Sequence, residues 1–367
     1  MREPILKNIY INARFLGRHV TGVERYATEF VKALDAMMCR GEIDPTRFSF
    51  VLLAPKNIQS ELKPKHIQIR YVGYFSGHLW EQFELPFYAR GTLLINLCNT
   101  ASLLKRNQIV TIHDAVVFGS PQAYSFIFRL WYKFLWKSLG VVAKTIITVS
   151  SFSEKELSKY CVQNAGKLQV IYEGKEHIFA LKSDNSILEK HGLKDKPFVL
   201  AVSSLNPNKN FHSIVQAITF LSNVNFEVVI AGGANPKIFC QSAIPLPSSI
   251  RYLGYVSDGE LRSLYEHASC FVYPSFYEGF GLPPLEAMAC GCPVIVSQAA
   301  SLPEVCGDAA LYCDPNSPKD IAEKIVLLMN NTTLREDLCR KSLERAKLFS
   351  WEKCARETFA VIKKALF

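Results

Sequence analysis

The apolar positions of this chain fall into short runs, separated by longer stretches in which apolar residues recur at helical spacing. Runs at 8–13, 48–54, 109–112 and 146–149 are rich in β-branched and aromatic residues and therefore predict buried strands. A helix is predicted at 22–38, where apolar residues recur every three or four positions. Strands that alternate with helices in this way indicate an α/β fold with parallel sheets.

The second half of the chain repeats this alternation, with predicted strands at 198–203, 227–231, 270–273 and 292–296. The stretch 173–196 before them is polar and is interpreted as a crossover between two domains. A length of 367 residues also favours two domains. The predicted division is 1–173, 174–350 and a terminal helix at 351–367.

The stretch 273–297 carries the clearest functional pattern. The strand before it ends at Pro274, and Glu278 follows, next to two glycines that flank one aromatic residue. Gly279 and Gly281 permit backbone conformations in which amide groups face a ligand. The two prolines after them suit the first turn of a helix, and a helix N-terminus attracts anions. The pattern predicts a strand, a glycine-rich turn, a helix and a further strand.

Two acids lie in this stretch, Glu278 at the end of the strand and Glu286 in the first turns of the helix. Ligands of such sheets bind at the carboxyl ends of the strands, so both carboxylates are expected at one crevice. Acids above an anion-attracting turn suit a ligand with both hydroxyls and phosphates, such as a nucleotide sugar. Either acid alone is better explained as a helix-terminal or solvent-facing residue, but the complete string favours a functional site.

This string, Pro-Ser-x-x-Glu-Gly-Phe-Gly-Leu-Pro-x-Leu-Glu-Ala-Met-Ala-x-Gly-x-Pro-Val, resembles the signature of the retaining glycosyltransferases of family four. The resemblance implies the GT-B fold, in which two Rossmann-like domains face each other across a cleft and the terminal helix returns to the N-terminal domain. It also implies that Glu278 binds hydroxyls of the donor sugar and that Glu286 holds the ribose. The N-terminal domain would bind the acceptor, and the C-terminal domain would bind the nucleotide sugar.

Other segments extend the resemblance. Gly22, in Thr-Gly-Val-Glu-Arg-Tyr, matches a glycine loop that approaches the donor phosphates, and His113, in His-Asp after a strand, matches a histidine near the transferred carbon. Lys209 matches a cation that contacts the diphosphate. The family has an arginine before that lysine where this chain has Asn208, so one cation is missing. Phosphate binding is then either weaker or dependent to a larger extent on the helix N-terminus and Gly22. Read singly, these residues are as well explained as a turn, a structural histidine and a solvent-facing lysine.

The predicted catalytic residues are therefore Glu278, His113 and Lys209. The predicted substrate-binding residues are Gly22, Ser204, Asn208, Tyr255, Val256, Phe280, Gly281, Leu282 and Glu286. Tyr255 and Val256 are included because the family uses the backbone after the preceding glycine to hold the nucleotide base.

No cofactor or metal is expected. The chain has no Asp-x-Asp pair that would clamp a diphosphate through a divalent ion, and its 11 cysteines do not cluster at metal-ligand spacing. The scattered cysteines favour reduced thiols in a cytoplasmic protein. No apolar run is long enough for a transmembrane helix, and the first residues lack the apolar segment of a signal peptide.

The positive charge is concentrated in the first half of the chain. Residues 1–185 hold 24 Lys and Arg against 15 Asp and Glu, an excess that accounts for the whole net charge of +9. Within this half, Arg129, Lys133 and Lys137 recur every four residues on a predicted helix that is crowded with aromatic residues. Cations beside aromatic residues suit an anionic membrane surface. The alternative is a core helix with one solvated stripe, and a helix with both roles is the working hypothesis.

The Pro-x-Lys-Asn loop at 207–210 resembles that of bacterial mannosyl- and rhamnosyltransferases that build surface polysaccharides on lipid carriers. The resemblance implies a hexosyltransferase that moves a sugar, with GDP-mannose as the first candidate donor, to a lipid-linked glycan during lipopolysaccharide O-antigen synthesis. UDP- and dTDP-sugars remain open. The protein would be cytoplasmic or peripheral at the inner membrane face. The alternatives are a nucleotide-sugar 2-epimerase, which needs no acceptor, and a basic protein without catalysis. A nucleic-acid partner is not expected, because no basic platform with interleaved aromatic residues stands out.

Overall fold

The chain forms two compact units. A computed structural model describes residues 6–121, 124–162, 164–202, 206–221, 224–232 and 250–367. The first unit comprises Met1–Gly174 and Ser350–Phe367, and the second comprises Lys175–Phe349. The first boundary between the units lies one residue after the predicted end of the first domain at 173. The second lies one residue before the predicted start of the terminal helix at 351.

The first unit is built on a parallel sheet of seven strands within the described ranges. Its strands are β1 (Lys7–Asn12), β2 (Phe48–Pro55), β3 (Gln68–Val72), β4 (Leu93–Asn96), β5 (Gln108–Thr111), β6 (Thr145–Thr148) and β7 (Leu168–Val170). Their order is β3-β2-β1-β4-β5-β6-β7, and Ile9 of β1 pairs with Phe50 on one side and Leu93 on the other. Helices cover such sheets on both faces, which explains why β4 and β5 are buried along their whole length.

The helices of the first unit follow the strands in sequence. They are α1 (Gly22–Cys39), α2 (Gly77–Leu79), α3 (Leu85–Tyr88), α4 (Val116–Gly119), α5 (Phe126–Val142), α6 (Ser151–Tyr160) and, from the end of the chain, α14 (Trp351–Leu366), with a π-helical turn at Trp80–Glu84. The terminal helix α14 packs against α1, and its Phe359 contacts the ring of Phe48 at 5.2 Å between centroids. The apolar stripe of α14 is therefore buried within the first unit.

The second unit has a parallel sheet of six strands within its described residues. These are β8 (Phe198–Val202), β9 (Glu227–Ala231), β10 (Ile250–Gly254), β11 (Cys270–Tyr273), β12 (Val294–Ser297) and β13 (Ala310–Cys313), in the order β10-β9-β8-β11-β12-β13. The strand predicted at 292–296 begins two residues later, because Gly291 has a positive φ of 77° and the chain is still turning after the helix.

Seven helices longer than one turn are described in the second unit. They are α7 (Ser186–Lys190), α8 (Phe211–Thr219), α9 (Asp258–His267), α10 (Leu282–Ala289), α11 (Leu302–Cys306), α12 (Pro318–Asn330) and α13 (Thr332–Ala346). Helix α9 begins with a complete capping box, in which Ser257 and Glu260 each bond to the other's backbone amide. In α10 the two prolines occupy the first turn, as the sequence predicts.

Three further properties concern the described residues alone. None of their helices combines the length and the apolar character that crossing a bilayer would require. Ten cysteines in these ranges are free thiols. We found no group of three or more His, Cys, Asp or Glu side chains in this part of the chain that could hold a metal ion.

Candidate active site

The candidate site lies at the centre of the second sheet, where the strand order reverses. Strands β8 and β11 are neighbours there, while the chain runs outward through β9 and β10 on one side and through β12 and β13 on the other. The carboxyl ends of two strands at such a reversal leave a crevice between the loops that follow them, and ligands bind in this crevice. One of these loops carries Lys209 and the other carries Glu278.

The loop after β8 is fixed by asparagine side chains. Asn206 accepts a hydrogen bond from the backbone amide of Asn208 at 3.0 Å and so begins a short 3-10 turn at Pro207–Lys209. Asn210 has a left-handed backbone with φ of 54°, and its side-chain amide donates to the carbonyl of Pro274 at 3.0 Å. Lys209 therefore lies between Asn208, whose amide is bonded to Asn206, and Asn210, whose side chain is bonded to the loop after β11.

Lys209 and Glu278 form a two-pronged ion pair. Nζ of Lys209 lies 2.8 Å from both carboxylate oxygens of Glu278 and 2.8 Å from the hydroxyl of Tyr273. The side chain of Glu278 is 9% exposed and that of Lys209 is 27% exposed, so the pair is shielded from water but can still be reached. Three oxygen atoms, two from this acid and one from this phenol, therefore lie within hydrogen-bond distance of the ammonium group.

The electrostatics keep the lysine charged. Burial alone would lower the pKa of Lys209, but the negative charge of Glu278 outweighs burial and raises the pKa well above its ordinary value. Burial and the same carboxylate raise the pKa of Tyr273, so its hydroxyl stays protonated. A permanent cation is thus present at the carboxyl end of β8.

Serine hydroxyls hold the loop that carries Glu278. Ser275 Oγ lies 2.5 Å from one carboxylate oxygen of Glu278 and 2.7 Å from the carbonyl of Asn208. Ser301 donates toward the backbone carbonyls of Glu278 and Phe280, at 3.0 and 2.8 Å. These contacts fix the position of the acid, as a preorganised site requires.

The glycine-rich turn leads directly into α10. Gly281 caps the helix with φ of 106°, and a Cβ at this position would approach Leu302 to 2.8 Å. A side chain would therefore meet both backbone strain and a collision. The side chains of Phe280 and Leu282 are buried, and the contact of their backbone amides with a ligand stays a prediction.

Glu286 has its own set of partners on α10. Its Oε1 accepts a hydrogen bond from Nε2 of His177 at 2.7 Å, and its Oε2 accepts one from the hydroxyl of Tyr265 at 3.2 Å. The side chain of His177 is 2% exposed and that of Glu286 is 12% exposed. The carboxylate is thus oriented by two buried groups, and a carboxylate has lone pairs left for further donors.

In the first unit, His113 is engaged by protein groups on both sides of its ring. Its Nε2 lies 3.0 Å from the carbonyl of Leu97, and its Nδ1 lies 3.2 Å from Glu173. A protonated ring can donate to the carbonyl of Leu97 and to the carboxylate of Glu173 at the same time. Burial opposes this charge, but the hydrogen bond and the charge of Glu173 outweigh it and raise the pKa of His113. Its predicted role toward the donor sugar stays a prediction.

The remaining predicted residues fall at loop and helix starts. Gly22 is exposed and is the first residue of α1. Asn208 is buried in the turn before Lys209, and Tyr255, which is 77% exposed, follows the end of β10 together with the half-buried Val256. Ser204 lies outside the described residues.

The sequence analysis missed three residues that the structure adds to the candidate site. Tyr273 ends a predicted strand, and its contact with Lys209 could have been suspected from that position. Ser275 was read only as part of the signature string. His177 lies in the polar stretch interpreted as a crossover, and no local pattern links it to an acid 109 residues away.

Comparisons with known proteins agree with this geometry. Residues 183–345 match the family model described as glycosyl transferases group 1. The chain is 35% identical over 266 residues to O-antigen chain mannosyltransferase B of Escherichia coli, an alignment that covers 70% of each protein. It is 30% identical over 322 residues to O-antigen chain mannosyltransferase RfbU of Salmonella typhimurium, with 84% of this chain and 87% of the relative covered.

This chain belongs to the group 1 glycosyltransferase family. As a glycosyltransferase, it also resembles solved structures along nearly its whole length. Sucrose-phosphate synthase from Thermosynechococcus elongatus aligns with a TM-score of 0.76 at 20% identity, covering 99% of both chains. WaaG, a glycosyltransferase involved in lipopolysaccharide biosynthesis, aligns with a TM-score of 0.72 at 15% identity, covering 98% of this chain and 99% of WaaG. The predicted GT-B fold is confirmed, and so is the predicted glycosyltransferase class.

Proposed function

We propose that this glycosyltransferase moves a mannosyl group from a nucleotide sugar, with GDP-mannose as the first candidate, to a lipid-linked glycan during surface polysaccharide synthesis. Two relatives of 35% and 30% identity are named O-antigen chain mannosyltransferases, which supports the choice of sugar and the kind of acceptor. The observation that carries the proposal is the two-pronged pair of Lys209 and Glu278 at the strand reversal of the second sheet.

Lys209 would stabilise the departing nucleoside diphosphate. Negative charge grows on the leaving phosphate as the glycosidic bond breaks, and a cation at that position lowers the free energy of the transition state. Because the raised pKa keeps Lys209 protonated, this stabilisation does not depend on a proton arriving during the reaction. Loss of one such preorganised group typically lowers kcat by about 10²–10³. The amides of Phe280, Gly281 and Leu282 at the start of α10 would add to the same effect.

Glu278 would bind hydroxyls of the donor sugar, and Glu286 would bind the ribose. Both oxygens of Glu278 already face Lys209, so its negative charge is neutralised. A neutralised carboxylate is a poor nucleophile but still accepts hydrogen bonds from hydroxyls, which suits a binding role. Retention of the anomeric configuration is part of the proposal, and NMR of the product distinguishes α from β linkage to test it.

We propose that catalysis needs no metal. A charged lysine and a helix N-terminus can together neutralise a diphosphate, and the sequence has no Asp-x-Asp pair to hold a divalent ion there. Transfer measured in EDTA is expected to match transfer in buffer, and restoration of lost activity by Mg²⁺ or Mn²⁺ would contradict this part of the proposal.

A thermal-shift screen with GDP-, UDP- and dTDP-sugars tests the donor. A ligand at 100 times its Kd stabilises the folded state by about 2.7 kcal/mol. For a unit of this size, each kcal/mol raises the melting temperature by roughly 2–4 °C. We expect the largest shift with GDP-mannose and a loss of this shift in Glu286→Ala. Absent shifts with all three would reject a nucleotide-sugar donor, whereas equal shifts, or a larger shift with a UDP- or dTDP-sugar, would reject the preference for GDP-mannose. An acceptor requirement for release of GDP separates transfer from 2-epimerisation.

The enzyme would also contact an anionic membrane through α5. The core side of this helix buries Leu135, Trp136 and Leu139, whereas Phe126, Ile127, Leu130 and Phe134 are 55–79% exposed on its outer side. Of the predicted basic stripe, Lys137 is exposed, Lys133 lies over the ring of Phe118 at 5.1 Å, and Arg129 is half-buried. The exposed apolar side chains and the cations beside them are typical of an interfacial helix. We therefore keep the hypothesis that α5 packs on the core with one side and contacts the membrane with the other.

Flotation with vesicles of phosphatidylethanolamine and phosphatidylglycerol tests this contact. Replacing Arg129, Lys133 and Lys137 together by Ala is expected to reduce binding and its salt dependence, since each cation near an anionic surface contributes about 1 kcal/mol. Replacing Leu130 and Phe134 by Ser is expected to reduce binding at high salt as well. Binding that is unchanged in both variants would remove α5 as the membrane contact.

A further inference from the structure

The first sheet has a strand reversal of its own, and a buried polar cluster occupies it. Strands β1 and β4 are neighbours, and the chain runs outward through β2 and β3 on one side and through β5 to β7 on the other. This is the same arrangement that places Lys209 and Glu278 between β8 and β11 in the second sheet. The crevice beyond β1 and β4 is therefore the default ligand position of the first unit.

Glu81 is the centre of this cluster. It lies in the π-helical turn at Trp80–Glu84 and is 1% exposed, and its Oε1 accepts hydrogen bonds from Asn12 at 2.8 Å and from Thr100 at 2.9 Å. The guanidinium of Arg14 lies 3.3 Å from the same oxygen. Asn12 is the last residue of β1 and Thr100 follows β4, so the carboxylate sits directly at the two strand ends.

The second oxygen of Glu81 faces His78. Oε2 lies 3.4 Å from Nδ1 of His78, and each of these two atoms is buried without a hydrogen-bond partner within the described ranges. Burial alone would raise the pKa of Glu81, but the interactions with His78 and Arg14 lower it, so the group is a carboxylate. At this distance the carboxylate acts on the ring through its charge, which favours a proton on Nδ1.

The rest of the His78 ring is open to solvent. Its side chain is 43% exposed although Nδ1 is buried, so the exposed surface belongs to the other atoms of the side chain. The segment before it is rigid, because Glu84 accepts hydrogen bonds from the amides of Tyr74 at 3.0 Å and Phe75 at 2.9 Å, and Trp80 donates to the carbonyl of Val72 at 2.9 Å. A buried acid thus lies against a partly exposed imidazole on a fixed loop, an arrangement typical of a binding site.

The partly exposed indole of Trp131 lies beside the ring of His78. Trp131 of α5 is 37% exposed, and its ring centre lies 6.2 Å from that of His78, with the two planes at 75°. A hexose has a face of C–H groups that packs on an aromatic ring, and hydroxyls at its edge that need hydrogen-bond partners. An indole face next to an imidazole nitrogen supplies both kinds of contact.

We propose that His78, held by Glu81, and Trp131 form a subsite for a hexose ring of the acceptor glycan. The indole of Trp131 packs on the C–H face of the sugar, and Nε2 of His78 hydrogen-bonds to one of its hydroxyls. Glu81 is a positioning residue that acts through His78. The proposal deepens the proposed function, since it rests on a glycan being the acceptor, but it concerns residues of the first unit alone.

Saturation-transfer NMR with methyl glycosides tests the subsite directly. The probes are the methyl α-glycosides of mannose, galactose, glucose, rhamnose and N-acetylglucosamine, each at millimolar concentration with the full chain. We expect transfer to at least one glycoside, strongest at the ring protons that face Trp131. Trp131→Ala and His78→Ala are each expected to weaken binding about tenfold, the size of one lost hydrogen bond or aromatic contact.

Matched variants separate binding from folding. Phe126→Ala removes another exposed aromatic residue from α5, and His66→Ala removes an exposed histidine of the same unit, and both should bind like the wild type. His78→Gln supplies a side-chain amide that can reach the hydroxyl, so it should restore part of the affinity lost in His78→Ala.

The outcomes are distinct for the two proposals. The subsite is overturned if no glycoside receives saturation from the wild type, or if Trp131→Ala and His78→Ala bind as tightly as Phe126→Ala and His66→Ala. The thermal shift with GDP-mannose should be unchanged in Trp131→Ala and His78→Ala. If GDP-mannose does not raise the melting temperature of the wild type, the proposed donor is rejected. Glycoside binding is then still judged from its own NMR result.

Discussion

The pair of Lys209 and Glu278 allows stability and catalysis to be separated in one set of variants. At a distance of 2.8 Å and an effective dielectric of about 20, the attraction between the two charges is about 6 kcal/mol. Desolvation offsets much of this, and removing one partner of a buried pair typically costs about 3–5 kcal/mol. Because the lysine is 27% exposed, we expect the lower end, about 3 kcal/mol, for Lys209→Met.

The destabilisation comes mainly from the acid that is left behind. Glu278 is 9% exposed, so without Lys209 its charge is buried next to the hydroxyls of Tyr273 and Ser275. Adding Glu278→Gln to Lys209→Met removes this uncompensated charge and should restore part of the lost stability. The double variant is therefore expected to unfold at a higher temperature than Lys209→Met, whereas both should turn over at least about tenfold more slowly than the wild type.

The assay is thermal unfolding of the full chain together with the transfer rate. For a unit of this size a loss of about 3 kcal/mol lowers the melting temperature by roughly 6–12 °C. The exposed pair of Lys319 and Glu323, at 3.9 Å with side chains 73% and 62% exposed, provides the control. Lys319→Met should change the stability by less than about 0.5 kcal/mol. The reasoning is refuted if Lys209→Met unfolds like Lys319→Met, or if the double variant is no more stable than Lys209→Met.

Two further predictions concern the histidines. His177→Leu should raise the donor KM about tenfold or more and leave the acceptor KM unchanged, because Glu286 loses the hydrogen bond that orients it. His177→Gln should restore part of the affinity for the donor. An unchanged donor KM would mean that Glu286 needs no positioning. The raised pKa of His113 predicts that its pairing with Glu173 contributes stability fully below pH 6.5 and loses it as the pH rises through the raised pKa. The melting-temperature difference between wild type and Glu173→Gln should therefore shrink with rising pH, and a difference independent of pH between 5 and 9 would contradict the charged state of His113.

The sequence by itself determined the class of fold and the chemistry of the second unit. Buried parallel strands are continuous apolar runs, and helices that cover them have an apolar stripe, so both kinds of element are visible in the order of residues. The glycine-rich turn and the prolines of α10 are local backbone requirements. Gly281, with its positive φ, therefore marks its position without help from distant residues.

Only the tertiary structure decided which side chains meet. Lys209 and Glu278 are 69 residues apart, and they touch because β8 and β11 are neighbours in the sheet. His177 contacts an acid on α10 from a stretch that has no periodicity of its own. No local pattern singles out Glu81, and only the fold shows that it is buried at the strand ends of the first sheet. Strand order is set by packing among distant segments, and local patterns carry no record of it.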